Sequence, residues 1–290
     1  MMSAPHPASE ASTMFACAGC GATQGFRLLY RKNGCAIYRC AQCGVGHADA
    51  SDFDPAAYYS DGYFSGARAD GYGNYLATEP VLRREFARTV AFIRRYRAGG
   101  RLLEIGCAYG FFLQEARRHF EVTGIELSPD AAEHARRNGL TVRTGMADAA
   151  TLADLGRFDA IVLLDVIEHL PHPDETLALC ARQLNPGGVI VLTTGDFGSP
   201  LARLMGPSWR LMTPPSHLWF FTTAGIAQLA ARSGLRLERV EHPWKIVPLS
   251  LMMFQAARFA NLRPAAPRPA GRIGLPINLF DAMRAVIRNQ

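Results

Sequence analysis

Five short runs, RLLEI from Arg101, EVTGIEL from Glu121, LTVRT from Leu140, FDAIVLLD from Phe158 and GVIVLTT from Gly188, alternate with stretches of helical periodicity. Few folds accept that rhythm. Apolar strands buried on both faces need helices to cover them, and parallel strands need helical crossovers to return the chain. The expected fold class is α/β, a parallel Rossmann-like sheet with helices on both faces. At 290 residues and 49% hydrophobic content the chain has enough apolar surface for a large core.

Local signals sharpen the outline. Ser128 reads as an N-cap, Pro129 as the first helical residue and Gly139 as the stop of the helix after the second run. Leu82, Phe86, Val90, Ile93 and Tyr96 recur at helical spacing in an arginine-rich segment that ends before Gly99 and Gly100. Two later strands, LRLERVEH and DAMRAVIR, flank an insertion from about Pro243 to Leu279. The chain divides into a disordered Ala, Ser and Pro-rich start (1–14), a cysteine module (15–47), an aromatic connector with its helix (48–98) and an α/β domain (99–290). No internal repeat is present.

The strand RLLEI turns at Gly106 and enters a helix near Phe111, so Gly106 to Gly110 sits at a strand's carboxyl end, where open α/β sheets bind ligands. The glycines are spaced GxxxG, with Ala108 between them and Phe111 at the last position, which weakens a dinucleotide reading. Glu126 ends the second strand, about twenty residues on, where a carboxylate suits both hydroxyls of a ribose. Asp148 follows the third strand, LLDVIEHL ends the fourth, and LNPGG makes a tight turn before the fifth.

With these motifs in this order the chain resembles the class I S-adenosylmethionine (SAM)-dependent methyltransferases, in particular a small-molecule branch with a DviEHl segment followed by LxPGG. The resemblance covers about Tyr59 to Arg288. It implies a seven-stranded sheet whose last strand is antiparallel. It also implies SAM contacts from Glu104, from Gly106, Cys107, Ala108, Tyr109 and Gly110, from Glu126 and Leu127, from Met146, Ala147 and Asp148, and from Asp165 and Val166. Ala108 replaces a family glycine, a position expected to need only a small residue.

Methyl transfer to a hydroxyl requires alignment with the sulfonium and removal of a proton, and histidine is the natural base near neutral pH. His169 ends the fourth strand and is either that base or a residue that only shapes the site. His217, in PPSHLWFFT, is either base or acceptor ligand, or a buried ring that ties its loop to backbone carbonyls. Trp219 in the same run is a candidate acceptor contact. Tyr59 and Tyr63, in the aromatic connector, form either a lid over the cofactor or a packed seam between domains.

Cys17-x-x-Cys20-Gly and Cys40-x-x-Cys43-Gly match paired zinc knuckles, and a structural Zn2+ on these four thiolates is expected. His47 would substitute only for a displaced cysteine. The ribbon so formed either meets a partner or nucleic acid, or walls the acceptor cleft of a module too small for its own core.

The expected function is methylation of a small biosynthetic molecule, at oxygen before carbon or nitrogen. The runner-up is an RNA methyltransferase that reads RNA through the ribbon, in keeping with the net charge of +6. A third reading is a cofactor-binding scaffold without turnover. The arginines at 83, 84, 88, 94, 95 and 97 read first as a solvated helix face. The insertion, at 246–263, is a candidate cover for an apolar acceptor, a peripheral membrane contact or a packed amphipathic helix. The N-terminus lacks the features of a secretory signal, so a cytoplasmic location is expected.

Overall fold

The computed structural model describes residues 15–50, 52–59, 75–249, 252–253 and 273–289. Strands β1 (Phe26–Lys32), β2 (Cys35–Cys40) and β3 (Gly46–Asp49) form an antiparallel meander, followed by helix α1 (Pro55–Tyr58). Helix α2 (Glu79–Ile93) leads into β4 (Arg101–Ile105), α3 (Phe111–Ala116), β5 (Glu121–Glu126), α4 (Pro129–Arg137) and β6 (Thr141–Thr144). The chain continues through α5 (Ala149–Leu152), β7 (Phe158–Leu164), α6 (Pro173–Gln183), β8 (Leu184–Gly195), α7 (Pro200–Met205), β9 (Trp219–Phe220) and α8 (Thr223–Arg232). It ends with β10 (Leu235–Glu241), β11 (Lys245–Pro248), β12 (Gly274–Ile277) and β13 (Ala282–Asn289).

Seven of these strands form the central sheet, in the order β10-β13-β8-β7-β4-β5-β6, with β13 antiparallel to both its neighbours. The chain winds outward from β4 to β6 and then crosses back to β7, which leaves a crevice between the carboxyl ends of β4 and β7. Side chains alternate across each strand, so Leu103, Ile105, Ile161, Leu163, Ile190 and Leu192 face one core while Leu102, Ala160, Val162, Val189 and Val191 face the other. Helices close both faces, and each fully buried Leu, Ile or Val contributes about 1.5–3 kcal/mol. Helix α4 starts as its sequence dictates, with Ser128 Oγ accepting from Ala131 N (3.4 Å) and Gly139 at φ +73° beyond its end.

One feature differs from the sequence expectations and two add to them. The LNPGG segment is part of β8 rather than a turn ahead of it: Leu184 pairs with Phe158, the register then slips, and Gly187 takes φ +70° within the irregularity. The cysteine module is joined to the domain, because β3 pairs with β9 and the small sheet runs β1-β2-β3-β9. Its Cys17, Cys40, Cys43 and Val45 also pack into the same core as Leu177, Ile226 and Leu229. Finally, the ends of the insertion pair as a hairpin, β11 with β12. The membrane-contact expectation for 246–263 falls largely outside the described residues, among which no helix is long and apolar enough to cross a membrane.

The stretch between α7 and β9 is pinned to the end of the sheet by Asp281. Its carboxylate, 1% exposed, accepts from Trp209 Nε1 (2.9 Å) and from both Arg210 Nε (3.0 Å) and Nη2 (2.8 Å). A charge this deep is tolerated only when so fully partnered. Within the arginine-rich helix, Arg83 is bound to Glu115 (2.7 Å), and Arg97 beyond it holds the Pro186 carbonyl (2.6 Å).

Candidate active site

The loop from Gly106 to Gly110 leaves β4 at the crevice. Gly106 has φ +73°, and a Cβ there would lie 2.5 Å from Val166 Cγ2; at Gly110, φ +79°, it would lie 2.4 Å from Leu140 Cδ1. Both positions therefore require glycine for space and for backbone conformation. Ala108 between them has φ +46°, so the site asks for a left-handed backbone and not merely a small residue. Glu126 holds the loop: its Oε2 accepts from Ala108 N (2.7 Å) and its Oε1 from Ser128 N (2.8 Å). Each carboxylate oxygen keeps a second acceptor position.

Glu104 is buried beside it, and its Oε2 has no hydrogen-bond partner. Burial, then the neighbouring Glu126, pushes its carboxyl well above the usual range. Such a group calls for a cationic or N–H-bearing ligand, and SAM brings a methionyl ammonium and a ribose diol. Cys107 is packed under the loop, its thiol pushed up by burial. Tyr109 borders Tyr75 and His134, with Tyr75 stacked on Phe111 (centroids 5.4 Å, 3°). Leu127 is half-buried, Ala147 buried and Met146 exposed. Asp148 is already occupied as the N-cap of α5, accepting from Thr151 N (2.8 Å).

Across the crevice, Asp165 follows β7 at φ +55°. Its carboxylate takes Thr193 Oγ1 (2.9 Å) and Lys245 Nζ (2.9 and 3.1 Å). The next turn, Ile167–His169, presents Glu168 and His169. His169 Nδ1 lies 2.6 Å from the Ser216 carbonyl and 2.7 Å from Tyr59 Oη, and its ring stands 4.6 Å from that of His217 at 81°. Tyr59 thus comes to the site by direct contact with a candidate residue, whereas Tyr63 lies outside the described residues. Glu168, His169 and His217 each offer a ligand atom within 4.8 Å of the others.

The electrostatics of this group weigh against either histidine as a general base. Burial, with His169 alongside, pushes His217 down to about 3, and burial also lowers His169. A ring that resists protonation this strongly accepts a substrate proton poorly at neutral pH. Burial, then the charge on Asp165, raises Glu168 to about 8.

The cysteine cluster lies against the start of α8, where Thr222 Oγ1 donates to the Cys43 carbonyl (2.9 Å). Cys17 Sγ is 3.4 Å from Cys43 Sγ, Cys20 Sγ is 3.5 Å from Cys40 Sγ, and all four sulfurs lie within 4.8 Å of one another. A tetrahedral zinc at about 2.3 Å from each thiolate spaces them about 3.8 Å apart, so the donor set fits. His47 is not in the cluster; its ring lies between Phe15 (3.9 Å) and Trp219 (4.3 Å), with Nδ1 buried and unpartnered. Trp219 is 5% exposed in this seam, with its indole N–H on the Leu170 carbonyl (3.1 Å). Ala48 N donates to Leu218 O, and Leu218 N donates to Glu168 O, both at 2.9 Å. One residue therefore links the cysteine module to the turn that carries Glu168, beside His217.

Residues 79–240 match the family model for a methyltransferase domain. The chain belongs to the class I SAM-dependent methyltransferases. It is 31% identical over 166 residues to the Ubiquinone biosynthesis O-methyltransferase of Xanthomonas oryzae pv. oryzae, covering 51% of this chain and 69% of that one. The protein of that name from Methylococcus capsulatus is 36% identical over 157 residues, covering 50% and 66%. Among solved structures, a chain of the Haloferax volcanii complex containing the Trm112 methyltransferase activator superposes with a TM-score of 0.51 at 15% identity, covering 76% of this chain and 97% of that one. That likeness concerns the fold alone.

Sequence reading overlooked Lys245, Thr193 and the Ser216 carbonyl. Lys245 carried a signal, being one of two lysines in a chain otherwise rich in arginine. The other two are brought in by the sheet and the loop, and nothing in their local sequence marks them.

Proposed function

We propose that this methyltransferase transfers the SAM methyl group to a hydroxyl oxygen of a small biosynthetic molecule, with a structural Zn2+ held by Cys17, Cys20, Cys40 and Cys43. The observation that carries the reading is the cluster of Glu168, His169 and His217 at the mouth of the donor crevice, where an acceptor oxygen would meet the methyl group. The names of the two relatives above support oxygen as the methylated atom.

In this reading Glu126 binds the ribose, the Gly106–Gly110 backbone and Glu104 receive the methionyl end, and Tyr59 covers the acceptor through its contact with His169. The transfer moves the methyl carbon from sulfur to oxygen in line, and the chain's work is alignment and exclusion of water. Lys245 keeps the Asp165 carboxylate engaged, which leaves Glu168 and the two imidazoles to face the acceptor. Zinc in the ribbon supplies no chemistry in a closed four-thiolate site and fixes β3 and Leu218 instead.

The test is incubation with methyl-labelled SAM against separate pools of hydroxylated small molecules and of RNA, followed by mass spectrometry of the labelled product. A methyl ether on a small molecule is expected. Label confined to RNA, or to carbon or nitrogen, would overturn the reading.

A further inference from the structure

His169 and His217 are buried and accept a proton poorly, but the same end of the sheet holds a third imidazole in different surroundings. His242 lies on the short connection from β10 to β11, with its side chain 29% exposed. Its Nε2 donates to Asp196 Oδ2 (2.9 Å), and Asp196 Oδ1 accepts from Gly198 N (2.9 Å). A carboxylate only accepts, so the proton of the neutral ring is on Nε2 and the lone pair on Nδ1. Nδ1 has no hydrogen-bond partner among the described residues. Asn278 Nδ2 donates to the His242 carbonyl (2.9 Å), so ring and backbone are both fixed.

The dyad stands at the rim of the crevice. Asp196 follows the carboxyl end of β8 and donates its N–H to the Asp281 carbonyl (2.9 Å). The Asp281 carboxylate holds Arg210, whose charge is felt at both Asp165 and His217. On the other side Lys245, at the start of β11, reaches Asp165 (2.9 Å). Two exposed aromatics lie beside the dyad, Phe280 with its ring centroid 6.4 Å from that of His242 and Trp244 on the same connection. Large apolar groups left in water around a fixed polar one are what a bound acceptor would cover.

We propose that His242, oriented by Asp196, takes the proton from the acceptor hydroxyl during methyl transfer, a role that rests on the O-methyl reading. The proton passes to Nδ1 as the oxygen forms its bond to the methyl carbon. The carbon–sulfur bond breaks in the same step, and its electron pair stays on sulfur. Asp196 stabilises the imidazolium, which then releases its proton to water. The other nearby charges are already matched, with Arg210 on Asp281, Lys245 on Asp165, and Arg239 and Arg284 on Glu241. Asp196 is thus left to answer the charge on His242.

The experiment compares two probe acceptors, phenol and para-nitrophenol, with methyl-labelled SAM in mildly alkaline buffer. Phenol keeps its proton there, whereas para-nitrophenol is ionised and needs no base. His242→Ala is expected to slow transfer to phenol by about a hundredfold or more, and to para-nitrophenol by less than about threefold. Added imidazole should restore phenol transfer in this variant at least about tenfold, and Asp196→Asn should show the same split between the two phenols. SAM affinity by calorimetry should move by less than about threefold in both variants. Should His242→Ala lose SAM binding, His242→Gln, which keeps a donor for Asp196, takes its place. Equal slowing with both phenols would make His242 a structural residue and overturn the proposal, as would undiminished transfer to phenol. Label on RNA, carbon or nitrogen in the wild type marks failure of the O-methyl reading itself, seen in the product before any variant is compared.

Discussion

The donor end of the crevice is contained in one stretch of chain, from Glu104 through Gly106, Ala108 and Gly110 to Glu126, whereas the acceptor end gathers Tyr59, Glu168, His169, Ser216, His217 and Lys245 from separate segments. The donor end is held by backbone geometry, with two glycines at left-handed φ whose Cβ would crowd Val166 and Leu140, and a carboxylate closing the loop. The acceptor end is held by contacts between modules, above all the chain of hydrogen bonds from Ala48 through Leu218 to Glu168. Damage to the cysteine module should therefore reach the acceptor end and spare the donor end.

The largest effect is expected from Cys40→Ser, which removes a thiolate from the proposed zinc set. Metal analysis should show loss of the ion, and the stability of the module should fall by more than about 4 kcal/mol. Methyl transfer should drop with it while SAM affinity stays within about threefold; equal loss of both would erase the contrast between the two ends. Glu126→Ala attacks from the other side. It strips the proposed ribose acceptor and leaves Ala108 N and Ser128 N without a partner, so SAM binding by calorimetry should weaken about a hundredfold or more. Unaltered binding would remove Glu126 from the donor site.

A pH effect tests the seam. Burial pushes the His47 ring to about 4 from 6.5. The unfolded chain takes up its proton near pH 6.5 and the folded chain does so only near 4, so stability is full above 6.5 and drains as pH falls through that window, by about 3 kcal/mol. His47→Phe fills the slot between Phe15 and Trp219 and should flatten that part of the curve, read by urea unfolding at several pH values. A slope identical to wild type would assign the acid sensitivity elsewhere. The smallest effect is expected from Ala108→Gly, which relieves a left-handed alanine and should stabilise the chain by about 1 kcal/mol with the loop's hydrogen bond kept.

The same contrast explains what was legible in the sequence. Strand-end chemistry is local, so Gly106, Gly110 and Glu126 could be placed on the crevice from spacing alone, and the alternating β-rich runs gave the sheet. Even there, the φ of Ala108 was not visible, because backbone conformation leaves no mark on a residue without side-chain preference. Cysteine spacing announced its cluster for the same local reason. At the acceptor end, His217 and Tyr59 were noticed for residue type, but their partners depend on how the ribbon, the loop after α7 and the β11–β12 hairpin pack together. The surroundings of Trp219 were hidden for the same reason: its aromatic run suggested a pocket wall, and β3 pairs over it and buries it in the seam. Two histidines near a crevice suggested a base; their burial, and the Ser216 carbonyl on His169 Nδ1, were not visible in the sequence and weigh against that role.

The most direct measurement of the division between the two ends is calorimetric titration of SAM into the wild-type chain, Gly106→Val and His217→Ala. Wild type should bind one SAM per chain. Gly106→Val, whose side chain would collide with Val166, should abolish binding, and His217→Ala should leave it within about threefold. A wild-type chain that does not bind SAM, or a loss in His217→Ala as large as in Gly106→Val, would contradict the account.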